Sequence, residues 1–356
     1  MKILAINPGS TSTKVALFED ERELWSDTQR YDVDVLKEFH GIMGQEEFRL
    51  QEIKKVLQAN NTDLSELDAV VGRGGLLKPI PGGTYEVNDQ MLEDLRACRY
   101  GSHASNLGAP LAVSLSVEGG CEKAFIVDPV VVDELIPEAR LSGMPEIERR
   151  SIWHALNQKA VARRAAVELG SKYDEVNLIV AHMGGGISVG AHEKGKTVDV
   201  NNALDGEGPF SPERAGSLPA GGLTRLAFSG EYDLDELRKR MVGGGGLVAH
   251  LGTNDLREVQ KMIETGNEKA ELVFQALALQ VAKEIGARAA VLKGQVDAIV
   301  LTGGLAYSEQ LMELISRRVE YIAPVKVYPG EDEMKALADG ALRVMKGEEE
   351  AHHYNG

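Results

Sequence analysis

Three short runs rich in glycine and serine stand directly after apolar stretches in this 356-residue chain. They are PGSTST at 8–13, GGGIS at 184–188 and TGG at 302–304. Turns of that composition let backbone N–H groups approach phosphate oxygens with no Cβ in the way, and hydroxyls add donors. One such turn is a weak signal. Three, two of them at matching points of a repeated pattern, point to a phosphate ligand. A fourth run, GAHEKGKT at 190–197, has the spacing G-x-x-x-x-G-K-[ST] of a P-loop. That loop works only when a helix follows it, and here the β-branched TVDV follows, so the run reads as a hairpin turn.

Cationic and imidazole side chains accompany these turns. Arg73 lies between Gly72 and Gly74 after an apolar strand, a setting that suggests a pocket more than open surface. His182 ends the strand before GGG, and His154 opens a long helix just after Arg149, Arg150 and Trp153. Taken singly, each histidine is more often a core or capping residue. Arg214, in a Pro/Gly loop, would more often be a surface residue. Arg163 and Arg164 sit mid-helix and read as solvated or ion-paired. His250, His352 and His353 read as surface residues, and GGGG at 243–246 suits either a ribose contact or a flexible loop.

These groups must be held by strands and helices, and the pattern supplies both. KILAIN, the PGSTS turn and TKVALFE read as strand, turn, strand, with a third strand near 23–31. Helical spacing covers 45–59, and recurs around 88–100 and 106–118; AVVGRGG and AFIVDPVVV read as buried strands. From 151 a long helix leads into VNLIVAHMGGGISVGAHEKGKTVDV, which repeats the opening plan of strand, small-residue turn, strand and strand. Helices follow at 233–242, 254–265 and 267–293, then the strand VDAIVLTGG and a last helix at 332–347. Two copies of one pattern indicate an α/β chain of two duplicated domains, 1–150 and 151–330, with the C-terminal helix at 331–349 returning to the first. The tail AHHYNG carries no pattern and is expected to fray.

Composition narrows the partners. A formal net charge of −16 opposes nucleic acid or an anionic membrane surface, though not an anionic substrate in a local cationic pocket. Two cysteines, Cys98 and Cys121, lack any spacing for metal or redox work and read as reduced thiols. Met1 leads straight into an apolar strand without the layout of a signal peptide, and no run approaches the roughly 18 apolar residues of a membrane helix. The expectation is a cytoplasmic chain.

The order of motifs resembles the acetate and butyrate kinases of the actin/sugar-kinase superfamily, and most closely the butyrate kinases. NPGSTSTK, GRGG at 72–75, VDPVV, RRSIWHALNQK, AHMGGGIS, SPERAGSLP and LTGGLAYSE occur in the family's order through nearly the whole chain. The resemblance implies duplicated actin-like, RNase H-like domains with central mixed five-stranded sheets flanked by helices. It implies ATP as co-substrate, Mg2+, a short-chain carboxylic acid as acceptor, and a homodimer or higher homo-oligomer. Asn7, Ser10, Ser12 and Lys14 would sit at the phosphoryl and metal end of the nucleotide. Gly184, Gly185 and Gly186 would form the second phosphate loop, and Gly303 and Gly304 the adenosine-side turn. Arg73 and Arg214 would flank the carboxylate and the moving phosphoryl group, a task suited to a planar, permanently charged fork. Asp128 would orient the attacking carboxylate or hold Mg2+ through water, and His154 and His182 would donate hydrogen bonds to the oxygens in flight. The metal-side acid lies within GEDE, where Glu331, Asp332 and Glu333 all fit.

Gly75 stands where the acetate-specific branch carries a valine, and Trp153 replaces the aromatic before the histidine. Space vacated at Gly75, with Trp153 as a wall, would favour C4–C5 acids, at about 0.8 kcal/mol per buried CH₂. The competing readings are a sugar kinase or phosphate hydrolase of the same superfamily, and a filament protein or repressor. The first would not need an arginine pair at the acceptor; the second would not need Arg73, Asp128 and Arg214 together.

Overall fold

The computed structural model describes residues 1–356, which form two compact units: residues 1–132 with 332–356, and residues 133–331. In the first unit, β1 (Lys2–Pro8), β2 (Ser12–Glu19), β3 (Arg22–Arg30), β4 (Ala69–Arg73), β5 (Thr84–Glu86) and β6 (Ala124–Val127) build one sheet in the order β3-β2-β1-β4-β6-β5. In the second, β7 (Asn177–Met183), β8 (Ile187–Glu193), β9 (Lys196–Val200), β10 (Ala298–Gly303) and β11 (Val325–Pro329) follow the order β11-β10-β7-β8-β9. Strands β3-β2-β1-β4-β6 and β9-β8-β7-β10-β11 pass through the same pairings, two antiparallel and then two parallel. The duplication read from the pattern is therefore a duplication of topology. The first sheet has a sixth strand, β5, whose three residues are too few to show a period of two.

Why the strands are so apolar follows from the layers. In the second unit Ile179, Ala181 and Met183 face one core while Leu178 and Val180 face another. Both faces are covered, so the run reads as continuous rather than alternating. On one side lies the helix Glu268–Val291 (α5 in the order used here), packed against β7 and β8 through Phe274, Leu277, Val281 and Ile285. Its start is fixed by Asn267, whose side chain accepts from Ala270 N, and by Glu268 and Glu271 in the first turn. The opposite face takes α4 (Ala155–Glu168). In the first unit α1 (Glu46–Ala59) and α3 (Gly108–Gly119) share one core with β1, β2 and β4, α2 (Asp89–Arg96) borders it, and the final helix Glu333–Met345 (α7) crosses β1, β4 and β6. The helix Glu309–Val319 (α6) and strand β11, neither expected from the pattern, complete the second unit.

Several expectations change. Residues 133–150 pack with the second unit: Ile136 N donates to Val198 O at 3.0 Å, and Arg149 pairs with Asp199 at 2.9 Å. The helix expected from 151 starts at Ala155, which leaves His154 as its N-cap residue. The strand expected to run through VDPVVV stops at Val127, because Asp128 adopts a left-handed φ of 38°. GAHEKGKT spans the β8–β9 hairpin, whose two-residue turn is Lys194 and Gly195, both at positive φ.

The tail does not fray. His352 N donates to Thr84 O at 2.8 Å and Glu86 N to His352 O at 3.2 Å, so the tail extends the sheet edge. Tyr354 is 2% exposed and its hydroxyl donates to Asp94 Oδ2 at 2.7 Å; burial, then Asp94, pushes that phenol above its usual range. A single buried tyrosine in a six-residue tail anchors it without leaving a periodic trace in sequence.

Candidate active site

The first glycine/serine turn is shaped from below. Arg49, on the buried face of α1, is 0% exposed and no acidic side chain pairs with it. Its Nη1 donates to Gly9 O at 2.8 Å and Ser12 O at 2.9 Å, and its Nη2 to Ser10 O at 3.1 Å. Gln45 Oε1 and Thr13 Oγ1 hold the rest of the fork, and Tyr31 covers it at 5.0 Å. With three carbonyls turned onto a buried cation, Ser10 and Lys14 stay exposed and Ser12 half-exposed beside Asn7. Burial lowers the Arg49 pKa, yet a guanidinium stays charged. The sequence did carry a signal for this residue: Arg49 falls on the apolar stripe of Ile53 and Val56.

The three acids of GEDE separate into three tasks. Glu333, in the first turn of α7, accepts from Asn7 Nδ2 at 2.7 Å and from Arg73 Nη1 at 2.6 Å, both on Oε2. Arg73 Nη1 also lies 3.4 Å from Asn7 Oδ1. Asp332 caps α7 by accepting from Lys335 N. Glu331, in the second unit, lies 3.1 Å from His182 Nε2.

Arg73 is fixed by backbone contact. A Cβ at Gly72 would overlap the carbonyl of Gly108, and one at Gly74 would fall 2.6 Å from Pro129 Cβ. Gly75 is equally constrained: its Cβ would lie 2.6 Å from Asn106 Cα and 2.7 Å from Leu95 Cδ2. The space expected there for a longer acid is already filled, so Gly75 serves close packing and vacates no pocket. Asp128 is 2% exposed; Gly83 N donates to its Oδ1 at 2.7 Å, and its own N donates to Gly83 O at 3.0 Å. The His352 ring packs where a Cβ of Gly83 would go, which links the tail to Asp128.

In the second unit the counterpart of Asn7 is His182. The pairs Asn7↔Lys14 and His182↔Ser188 each stand one step from the end of their hairpin. His182 Nδ1 meets Asn157 Oδ1 at 2.8 Å, and its ring stacks on His154 at 3.8 Å and 11°. His154 Nδ1 lies 2.8 Å from Ser188 Oγ. Trp153, expected as a pocket wall, is 2% exposed and meets His192 edge-on at 5.9 Å.

Arg214 rests on the second glycine loop. Its guanidinium occupies the space a Gly186 side chain would need, and Nη1 donates to Ala203 O at 2.5 Å. Burial lowers its pKa, opposed in part by Glu213. Ser211 Oγ donates to Gly185 O and accepts from Arg214 N, joining the two loops. The run at 243–246 braces the same loop: Gly243 N and Gly245 N both donate to Glu213 O, and Gly246 abuts Ser211 O. A cavity of about 640 Å³ opens beside it, lined by Gly184, Gly185, Glu213, Gln260, Gly304 and Tyr307 among others. Gly303, at φ 91°, passes against Met183 O, and Gly304 has open space where its side chain would be.

A model of the acetokinase family matches residues 145–329, more than half of the chain. The chain belongs to the acetokinase family. Its fold is shared along nearly the full length with solved structures of that kind. The acetate kinase of Porphyromonas gingivalis superposes with a TM-score of 0.81 at 21% identity, over 97% of this chain and 99% of that one. A propionate kinase from Francisella tularensis subsp. tularensis SCHU S4 gives 0.72 at 19% identity, over 95% and 98%. The acetate kinase of Entamoeba histolytica gives 0.71 at 16% identity, over 96% and 98%. The two mixed sheets flanked by helices are thus the duplicated actin-like kinase fold of the acetokinases, with six strands in one sheet and five in the other.

Proposed function

We propose that this member of the acetokinase family is a Mg-ATP-dependent carboxylate kinase that phosphorylates a short-chain acid, with butyrate or a branched C4 acid such as isobutyrate preferred over acetate. The observation that carries the reading is the placement of cations on the glycine turns. Arg73 is tied to Asn7 beside the first turn, and Arg214 lies on Gly186 in the second. The preference for a C4 acid is supported by the order of butyrate-kinase-like motifs and draws nothing from Gly75.

The chemistry asks for positioning and positive charge. A carboxylate is already ionised at neutral pH, so no base is needed to activate it. One carboxylate oxygen attacks the γ-phosphorus, the bond to the ADP oxygen breaks in line, and no proton need move. Arg73 and Arg214 bind the oxyanions of acid and phosphoryl group, offsetting the repulsion between two anions. His154 and His182 donate to the equatorial oxygens, and Asp128 orients the acid. The 640 Å³ cavity is of a size for a nucleoside, with Gly304 on its adenosine side and Gly184 and Gly185 toward the phosphates. The first unit would thus carry the acid and phosphoryl end and the second the nucleotide.

Residues suited to Mg2+ are present. Glu333 Oε2 is engaged by Asn7 and Arg73, while Oε1 makes no hydrogen bond; with Asn7 Oδ1 it offers hard oxygen donors. Mg2+ is usually held by one or two protein oxygens together with substrate phosphates and water, and these donors fit that pattern. Bound there, Mg2+ would neutralise charge on the phosphates.

Hydroxylamine trapping of acyl phosphate, with Mg-ATP and linear or branched acids from C2 to C6, tests the reading. The expected result is acyl hydroxamate, with the highest kcat/KM for butyrate or isobutyrate. A higher kcat/KM for acetate would overturn the acid preference, and no hydroxamate with any acid would overturn the kinase reading.

A further inference from the structure

Behind His154 lies a chain of buried polar groups that the roles above leave unexplained. Gln158, Ser188 and His192 are each 0% exposed. Gln158 Nε2 lies 3.0 Å from the Ser188 carbonyl oxygen and 2.7 Å from Ser188 Oγ. Gln158 Oε1 lies 3.0 Å from His192 Nε2, and His192 Nδ1 lies 2.7 Å from the Tyr173 hydroxyl.

A carbonyl oxygen can only accept, so the amide nitrogen of Gln158 must be the atom facing Ser188. The remaining donors then follow in one direction. Gln158 Nε2 donates to Ser188 Oγ, and the one acceptor the buried Ser188 hydroxyl proton then has is His154 Nδ1, at 2.8 Å; turned elsewhere it would go unpaired. At the far end Gln158 Oε1 accepts from His192 Nε2–H, and His192 Nδ1 accepts from the Tyr173 hydroxyl. Burial, then the charges of Lys159 and Arg163, hold His192 well below the usual imidazole range, which agrees with its neutral form. Gly190 makes room for the junction, since a Cβ there would lie 2.6 Å from Gln158 Oε1 and 3.0 Å from His192 Nε2.

We propose that Gln158 is a positioning residue that fixes His154 as the Nε2–H tautomer, with Ser188 as intermediary and His192 and Tyr173 as anchor. His154 then offers a hydrogen-bond donor and neither a charge nor a base. Protonation at Nδ1 would turn the Ser188 hydroxyl away from its acceptor, so the network holds His154 neutral. The stacked partner, His182, is held differently, with Asn157 Oδ1 at Nδ1 and the Glu331 carboxylate at Nε2. The catalytic consequence rests on the reading that His154 meets the transferred phosphoryl group.

The test is long-range ¹⁵N–¹H correlation NMR of the full-length chain at pH 7, with His154 assigned by its loss in His154→Gln. The expected spectrum has a pyridine-type Nδ1 and a protonated Nε2. Gln158→Leu should give mixed tautomers and a kcat 10- to 100-fold lower, with KM for Mg-ATP and acid within threefold of wild type. Should that variant not fold, Ser188→Ala, which removes the intermediary hydroxyl, carries the same expectation. An Nδ1–H or doubly protonated His154 in the wild type overturns the proposal, and so does a scrambled tautomer with unchanged kcat. The spectrum reports the tautomer whether or not the chain phosphorylates an acid. Absence of acyl phosphate in the wild type would therefore count against the function alone.

Discussion

Replacing Arg49 by methionine keeps the buried stem and removes the fork that holds the first glycine/serine turn. Hydrogen bonds to a charged group are worth about 1.5–3 kcal/mol each, and Arg49 makes them to three loop carbonyls. Ser10 is exposed and its carbonyl can turn to water, whereas Gly9 and Ser12 are half-buried and lose part of that compensation. Removing the cation also relieves its own desolvation. The net loss of stability is therefore about 2–4 kcal/mol, inside the roughly 5–15 kcal/mol that keeps a typical domain folded. The effect on rate should exceed what stability alone explains, because the turn would no longer hold its donors toward a phosphate. Loss of one preorganised oxyanion donor costs about 10²-fold in rate, and we expect a fall of that order in kcat/KM for Mg-ATP. KM for the acid should change less than threefold. Urea unfolding gives the first quantity and initial rates at saturating acid give the second. A folded Arg49→Met protein with kcat/KM for Mg-ATP within threefold of wild type would refute the argument that this arginine shapes the phosphate turn.

Three further outcomes follow from the same geometry. Gly75→Ala should lower the urea midpoint, by about 1–3 kcal/mol of stability for an overpacked core, and leave the order of acid preference unchanged. A switch toward acetate without loss of stability would show that the position does line the acid pocket. His192 is neutral in the fold and has a pKa well below 6.5 there, so below about pH 6.5 the unfolded chain binds a proton that the folded chain refuses. Stability should thus fall on acidification by up to about 1.4 kcal/mol per pH unit from this group, and His192→Gln should remove that share from denaturation curves at pH 7 and 5.5. Truncation after Glu350 removes the His352 ring from Gly83 and the Tyr354 hydroxyl from Asp94, so kcat should drop at least tenfold while KM for Mg-ATP stays within threefold. Equal loss in both parameters would mark a general loss of folding instead.

The parts of the fold legible in sequence were those carried by long, continuous patterns. The two hairpins after KILAIN and VNLIVAHM were visible because buried strands have no polar interruption, and their turns were marked by glycine and serine. Strands β5 and β11 were not, since three and five residues at a sheet edge leave too short a trace. At the site, the residues named came from the family resemblance and not from residue type; among them Asn7, Arg73 and Glu333 touch in the structure, as do His154 and His182. Residue type could not foretell the division of labour within GEDE, because a carboxylate one position along a helix start faces another partner. Nor could it foretell that Gly75 is filled by Leu95 and Asn106, which come from elsewhere in the chain. Arg49 was the one missed residue with a usable sign, a charge on an apolar stripe at helical spacing.

The central claim is that a phosphoryl group passes directly from ATP to a carboxylate oxygen. Butyrate carrying ¹⁸O in both carboxylate oxygens, turned over with Mg-ATP and followed by ³¹P NMR, reads that transfer. The account predicts an acyl phosphate whose phosphorus bears one ¹⁸O, in the bridging position, with unlabelled ADP formed in equal amount. ATP consumed to free unlabelled phosphate, with no labelled acyl phosphate at any time, would contradict it.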